Sequence, residues 1–171
     1  RQDLRRCATS EDGSLQVTQG WRVLPYLDEG SVGIALALAR YLAHRDDEDL
    51  RTALDGCERV TGAGFYVQPG LFTGRSGMIV ALGARRARAG GSPALDDLVA
   101  AQLSGLGWHA LPYAGGLAFP GDQLMRLSMD FATGTAGVLF AMSTVLRDEP
   151  VFLPFTGPPG GTGSLTKATP V

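Results

Sequence analysis

Few side chains in this sequence can move a proton near neutral pH. There are two histidines, His44 and His109, and histidine is the residue whose charge changes in that range. His109 sits between Trp108 and a Pro112-Tyr113 turn. Its type suits a general acid or base; the alternative is a loop histidine bonded to backbone. His44 stands beside Arg45 at a predicted helix end and reads as solvated. Asp28 lies just before a glycine turn, as a functional carboxylate or as a cap for the next helix. Arg75 lies inside a second such turn, where a guanidinium could hold a carboxylate or phosphate or a structural ion pair. Tyr26, Tyr66 and Tyr113 offer phenol donors, although amphipathic packing is the commoner use. Asp122 and Asp130 flank a short predicted helix bearing Arg126 and read as caps or ion pairs. Nothing pairs Asp or Glu as a glycosidase would across a sugar cleft.

The two cysteines form no Cys-x-x-Cys. That argues against a disulfide framework and for a reducing, cytoplasmic setting. Cys57 falls on the apolar stripe of a predicted helix and reads as a buried structural thiol. Cys7 falls in a predicted hairpin around Glu11-Asp12-Gly13-Ser14, with no catalytic role expected.

The elements that position these residues repeat. Gly30-Ser31-Val32-Gly33, Gly74-Arg75-Ser76-Gly77 and Gly134-Thr135-Ala136-Gly137 each open an apolar run. The first two runs are apolar on every side, and such a helix must be packed all round. Between them lie one-faced helices: one over about 47–60, with Leu50, Leu54 and Cys57 in a stripe, and one after Ser92-Pro93, with Leu95, Leu98, Val99, Gln102 and Leu103. Gly90-Gly91 stops the second apolar helix, and Pro93 suits a first turn. The glycine-rich stretch 105–121 reads as a hairpin laid over helix ends. In each turn the first glycine is expected to supply a positive φ and the second a close approach to a neighbouring helix. Backbone N–H groups at the helix starts would then converge on a central mouth where a ligand sits.

Composition narrows the function classes. The net charge is −2, from 15 basic and 17 acidic residues, so there is no electrostatic footprint for nucleic acid or an anionic membrane. The longest apolar runs fall far short of the roughly 20 residues of a membrane span. Arg1 opens the chain without an initiator Met or a signal-peptide pattern, so the chain is expected to be part of a longer protein.

These pieces resemble the C-terminal half of the LanC-like cyclase domain of class III lanthipeptide synthetases. Leu24-Pro25-Tyr26-Leu27 runs into the first turn, and Phe65-Tyr66-Val67-Gln68-Pro69-Gly70-Leu71-Phe72 into the second. The most specific block runs from Trp108-His109-Ala110-Leu111-Pro112-Tyr113 through Gly116-Leu117-Ala118-Phe119-Pro120-Gly121-Asp122-Gln123 to Arg126-Leu127-Ser128-Met129-Asp130 and the third turn. The resemblance implies an all-α fold: a partial α/α toroid of inner and outer helix pairs with short β-hairpin insertions. Residues 1–155 would form about half of the toroid, and 156–171 a disordered Gly/Pro/Thr-rich tail. It also implies a parent with upstream lyase and kinase-like regions, the latter binding the nucleotide, that dehydrate Ser and Thr of a precursor peptide. The cyclase region would add peptide Cys thiols to the dehydro residues, giving lanthionine or labionin. The isolated chain is expected to be inactive. The precursor peptide and the upstream regions are the expected partners, with no nucleic acid or membrane.

Zinc-dependent relatives use two Cys and one His on these loops, because Zn²⁺ lowers a thiol pKa and the thiolate is the nucleophile. By resemblance those positions are Asp28, Phe72 and Thr73 here, so no metal or other cofactor is expected in this chain. Thiol addition would then fall to His109 and Asp28 as proton carriers, with Arg75, Tyr26 and Tyr113 as substrate contacts. The other reading is a non-catalytic module that holds the peptide for the kinase and lyase regions.

Overall fold

The computed structural model describes residues 2–154 and 156–157. The chain begins with a three-stranded antiparallel sheet in the order β1-β2-β3, formed by Cys7–Thr9, Leu15–Gln19 and Arg22–Leu24. Cys7 pairs with Val17 and Thr9 with Leu15. Cross-strand partners share a face, so Cys7, Leu15 and Val17 all lie on the side from which buried Val17 meets the helices. Gly20, at φ +62°, turns the chain between β2 and β3.

Helix α1 (Ser31–Leu42) follows, then α2 (Glu48–Arg59), whose N-cap Asp47 accepts the Leu50 N–H at 3.1 Å. These helices pack together, and α2 also packs on β2. A Cβ at Gly56 would lie 3.0 Å from Leu15 Cβ, which sets how closely helix and sheet approach. Helix α3 (Arg75–Ala89) is the centre of the molecule, buried at every position from Arg75 to Ala84. It packs against α1, α4 (Pro93–Leu106) and α5 (Thr135–Leu146). Gly90 ends α3 at φ +82°, and Ser92 caps α4. A second sheet, β4 (Leu111–Tyr113) with β5 (Gly116–Ala118), lies between α4 and α5. One core centres on α3; a smaller one lies between α1 and α2, around Leu50, Leu54 and Cys57.

The all-α toroid expectation is therefore corrected. Five α-helices are accompanied by five strands in two antiparallel sheets among the described residues. The first sheet is a packed layer rather than an ornament, because β2 buries Val17 and carries the α2 contact. Residues 22–24 form a strand that ends just before Pro25. The tail expected over 156–171 falls almost wholly outside the described residues.

The glycine turns also differ from expectation. Gly30, Gly74 and Gly134 are N-caps at φ −137°, −152° and −104°, extended backbone that any residue adopts. Space, not φ, requires glycine there. A Cβ at Gly30 would lie 2.6 Å from Leu24 O, at Gly74 2.4 Å from Gln68 O, and at Gly134 2.5 Å from Ser128 O. The second glycine of each turn is crowded in the same way by Leu27 O, Leu71 O and Phe131 O. Each helix start thus sits flat on the loop preceding it. That loop takes up its donors: Val32 N–H bonds Pro25 O, Arg75 N–H bonds Gln68 O, and Thr135 N–H bonds Ser128 O, at 2.8–3.1 Å.

Candidate functional site

The three pre-helix loops are strung together by backbone. Leu27 and Asp28 both donate N–H groups to Phe72 O, at 3.1 and 3.3 Å. One repeat on, Leu71 and Phe72 both donate to Ala132 O, at 3.0 and 3.1 Å. This ladder puts Asp28 beside Phe72, so positions distant in sequence meet at one place.

A zinc centre does not fit these residues. Structural and catalytic zinc take thiolate, imidazole and carboxylate ligands, and Asp28, Phe72 and Thr73 provide one carboxylate among them. No group of three His, Cys, Asp or Glu suited to a metal occurs among the described residues. The thiols are also poorly suited to act as ligands or nucleophiles. Cys57 is fully buried, and burial pushes its pKa up to about 12. Cys7 is raised as well, by burial first and by Asp3 second.

Asp28 is exposed, and its Oδ1 accepts the adjacent Glu29 N–H at 2.7 Å. It does not cap α1, whose N-cap Gly30 has no side chain to do so. Half-buried Tyr26 lies close enough to feel that carboxylate. Burial first, then Asp28, raises the phenol pKa above its ordinary value. The phenol therefore stays protonated and able to donate across the physiological range. A cleft of about 520 Å³ opens at Asp28, lined also by Leu27, Glu29, Ile34, Asp3 and Arg6; Tyr26 is not among its lining residues.

His109 lies on a different loop. Its Nε2 is 3.1 Å from Val67 O, just ahead of the second turn. A carbonyl only accepts, so Nε2 carries the proton and Nδ1 keeps a lone pair. That Nδ1 is buried with no partner among the described residues. Nearby, Gln68 Oε1 accepts the Gln123 N–H at 3.1 Å, so both flanks of the 108–123 block hang on residues 67–68. Tyr113 is exposed on β4. The structure brings Tyr26 and Asp28 together, and no hydrogen bond among the described residues joins either to His109.

Arg75 is placed away from solvent, at 4% exposure. Its Nη1 donates to Gln102 Oε1 at 2.7 Å and its Nη2 to Gly64 O at 3.1 Å. The guanidinium stacks 5.3 Å from the Tyr66 ring, and the Tyr66 hydroxyl donates to Val60 O. Gln102 Nε2 donates to Thr61 O and Ala63 O, at 2.7 and 3.0 Å. Arg75 thus locks segment 60–64 onto α3 and α4. The sequence signal for Gln102 is a polar residue on an apolar stripe, which needs a buried partner.

Asp130 does not pair with Arg126 among the described residues. It accepts from the Ser128 hydroxyl and from the Thr133 N–H and hydroxyl, the last two at 2.7 and 2.9 Å. The Ser128 hydroxyl leads these bonds in lowering its pKa to about 2. A carboxyl lowered in the folded state stabilises above its unfolded pKa, and that contribution is lost as pH falls through the folded value. Asp130→Asn is therefore expected to flatten the acid limb of stability between about pH 4 and pH 2, read by denaturant unfolding across that window. An acid limb identical to the unsubstituted chain's would remove Asp130 from the third loop's stability.

No family model matches the chain. It is 50% identical over 163 residues, 95% of its length, to a probable SapB synthase of Streptomyces coelicolor. The chain is therefore similar to one segment of a much longer synthase, which is consistent with the resemblance to class III lanthipeptide synthetases. It spans 17% of that relative's length. No helix among the described residues is long and apolar enough to cross a membrane.

Proposed function

We propose that this segment belongs to the part of a lanthipeptide synthetase that closes thioether rings without zinc. The observation that carries the reading is the backbone junction that sets Asp28 against Phe72, with Tyr26 close enough to feel the Asp28 carboxylate, in a chain related to a probable SapB synthase. The substrate is a ribosomal precursor peptide whose Ser and Thr have been dehydrated by kinase-like and lyase regions elsewhere in the parent. A peptide Cys gives up its S–H proton, the sulfur bonds to the dehydro residue's β-carbon, and the resulting enolate takes a proton at its α-carbon. Atoms balance with no co-reactant. Labionin forms when the enolate instead attacks a second dehydro residue.

In this reading Asp28 receives the thiol proton and Tyr26 hydrogen-bonds the enolate oxygen. Asp28 is open to solvent, and Tyr26 remains a neutral donor beside it. His109 is the second proton carrier in this reading, and because its Nε2 is held on Val67 O and its Nδ1 is buried, that role requires the loop to shift when the peptide binds. Tyr113 is exposed and contacts the peptide. Arg75 is enclosed by Gln102, Gly64 and Tyr66 and shapes the loop rather than touching substrate.

The test is ring formation by the complete parent synthetase, read by alkylating free thiols, because addition leaves the peptide mass unchanged. Asp28→Asn is expected to slow ring closure roughly 100-fold, the scale of a lost general base, with dehydration unaffected. Tyr26→Phe gives a smaller loss. Unchanged ring closure in Asp28→Asn, Tyr26→Phe and His109→Ala would remove all three from the chemistry. The second reading, a peptide-holding module, is favoured by Asp, Phe and Thr standing at positions 28, 72 and 73 where zinc-dependent relatives have two Cys and one His. It predicts that these variants weaken peptide binding and dehydration together.

A further inference from the structure

Positive φ is left to glycine almost everywhere among the described residues. Gly13, Gly20, Gly90 and Gly115 take it at turns and at a helix end, and Ala114 shares its turn with Gly115. Residues 119–128 are the exception. Their two arms fold back on each other. Ser128 N–H bonds Phe119 O at 3.3 Å, Pro120 bridges to Leu127, and Gly121 N–H bonds Arg126 O at 2.8 Å. The chain reverses between Asp122 and Met125, whose N–H reaches Asp122 O at 3.3 Å. The two residues between them are Gln123 and Leu124, at φ +52° and +59°. A two-residue reversal with both φ positive is the mirror-image hairpin turn, for which Asn-Gly or Asp-Gly is the low-energy sequence. Longer side chains are unfavourable there, because Cβ crowds the following carbonyl oxygen. Glycine is at hand in this stretch, at Gly115, Gly116 and Gly121, yet the turn itself uses glutamine and leucine.

The surroundings hold the turn in this conformation. Gln68 Oε1 accepts the Gln123 N–H at 3.1 Å, so the tip hangs from the second pre-helix loop. A Cβ at Gly121 would lie 2.8 Å from Ser128 Cβ and 3.3 Å from Thr133 Oγ1, so the base of the turn lies flat on the third loop. These anchors run from Gln68 to Thr133, inside the chain. The second loop also carries Phe72, whose carbonyl holds the Asp28 N–H. The turn therefore stands on the same backbone ladder as the candidate site. Strained backbone that its surroundings over-determine gathers where side chains are used. What this turn provides is the placement of two apolar side chains at its tip, Leu124 at 41% exposure and Met125 at 81%. Neither joins a hydrophobic core among the described residues, so packing does not account for the leucine.

We propose that Leu124 is a specificity residue, held out by the strained turn to contact an apolar side chain of the precursor peptide beside the residue that undergoes addition. The identity of the peptide rests on the ring-closing reading above. Leucine at a left-handed position then exchanges stability for contact.

Three variants of the complete parent synthetase test this. Gln123→Asn eases the turn and keeps Leu124. Leu124→Gly and Leu124→Asn ease the turn and remove the apolar tip. All three are expected to shift the thermal unfolding midpoint upward. Gln123→Asn is expected to leave ring closure unchanged. Both Leu124 variants are expected to raise KM for the dehydrated precursor about 10-fold, the scale of one lost apolar contact, with kcat unchanged. Cutting the precursor's apolar residues beside its reacting positions to Ala is expected to impose the same penalty on the unsubstituted enzyme and no further loss on the Leu124 variants. An unchanged KM in Leu124→Gly overturns the contact. A lowered midpoint in that variant overturns the strain from which the contact is argued. Asp28→Asn, assayed alongside, keeps the two ideas apart: normal ring closure there removes the chemistry assigned to Asp28 and leaves the KM effect of Leu124 standing.

Discussion

Gly137→Ala is expected to be the most damaging single-methyl change in the chain. The added Cβ would lie 2.1 Å from Phe131 O and 2.9 Å from Leu71 Cβ. Neither neighbour can yield cheaply. Phe131 O belongs to the loop whose neighbouring carbonyl, Ala132 O, holds both Leu71 N–H and Phe72 N–H. Leu71 is fully buried against α3. Overpacking of this kind costs about 3 kcal/mol. For a chain of this length that is a fall of ~10 °C in Tm, measured by thermal unfolding. Gly107→Ala is the matched control. Its φ is −55°, and nothing lies within 4 Å of an added Cβ. It is expected to leave Tm unchanged or slightly raised. Equal melting of the two variants would mean that the close loop–helix approach is not what the turn glycines provide.

That contrast also explains what could be read from sequence. Six glycines at fixed spacing ahead of apolar runs are a local signal, so the turns and their helices were legible. So were the helix ends at Gly90 and Ser92, because capping is decided within a few residues. The fold class was not. The strands are three to five residues long, too short for alternation to stand out, and β3 ends just before Pro25. Hairpins around 11–14 and within 105–121 were expected and are present, but treating them as insertions made the fold look all-helical, whereas Leu15 and Val17 carry a three-stranded sheet into the α1–α2 side of the molecule. The reason for glycine was also hidden. A positive φ and a backbone 2.5 Å away both exclude side chains, and sequence records only the exclusion.

The candidate site was legible in part for the same reason. Asp28 and Tyr26 are two residues apart, and the structure keeps them together. His109 is tied to Val67, and Asp28 to Phe72, by carbonyl contacts that reach across 42 and 44 positions. Backbone acceptors have no side-chain identity, so nothing in the sequence could point to them. A glycine turn at a helix start admits either a catalytic or a structural arginine, and sequence does not record which way it is buried, so Arg75 was ambiguous there.

Arg75 now separates the two uses, and Arg75→Met is expected to act on stability before anything else. Removing the guanidinium leaves Gln102 Oε1 and Gly64 O without their donors, at a site where Arg75 and Gln102 are 4% and 2% exposed. Gly64 is exposed and its carbonyl can turn to water, whereas an unsatisfied buried acceptor such as Gln102 Oε1 costs about 1–3 kcal/mol, so a loss of about 2 kcal/mol follows, read as a lower denaturant midpoint. Arg75→Lys is expected to recover little. One ammonium on a flexible stem cannot reproduce a planar fork aimed at two acceptors, nor its stacking on Tyr66. Space enforces the same identity from the other side. A Cβ at Gly105 would lie 2.2 Å from Nη1 and 2.3 Å from Cζ, so Gly105→Ala must displace the guanidinium. Gly105→Ala is therefore expected to destabilise in the same sense, and the double variant with Arg75→Met to be less damaging than the sum of the two. A residue that instead gripped a substrate carboxylate would leave the midpoint unmoved and weaken peptide binding alone. Such a result would return Arg75 to the peptide-contact surface.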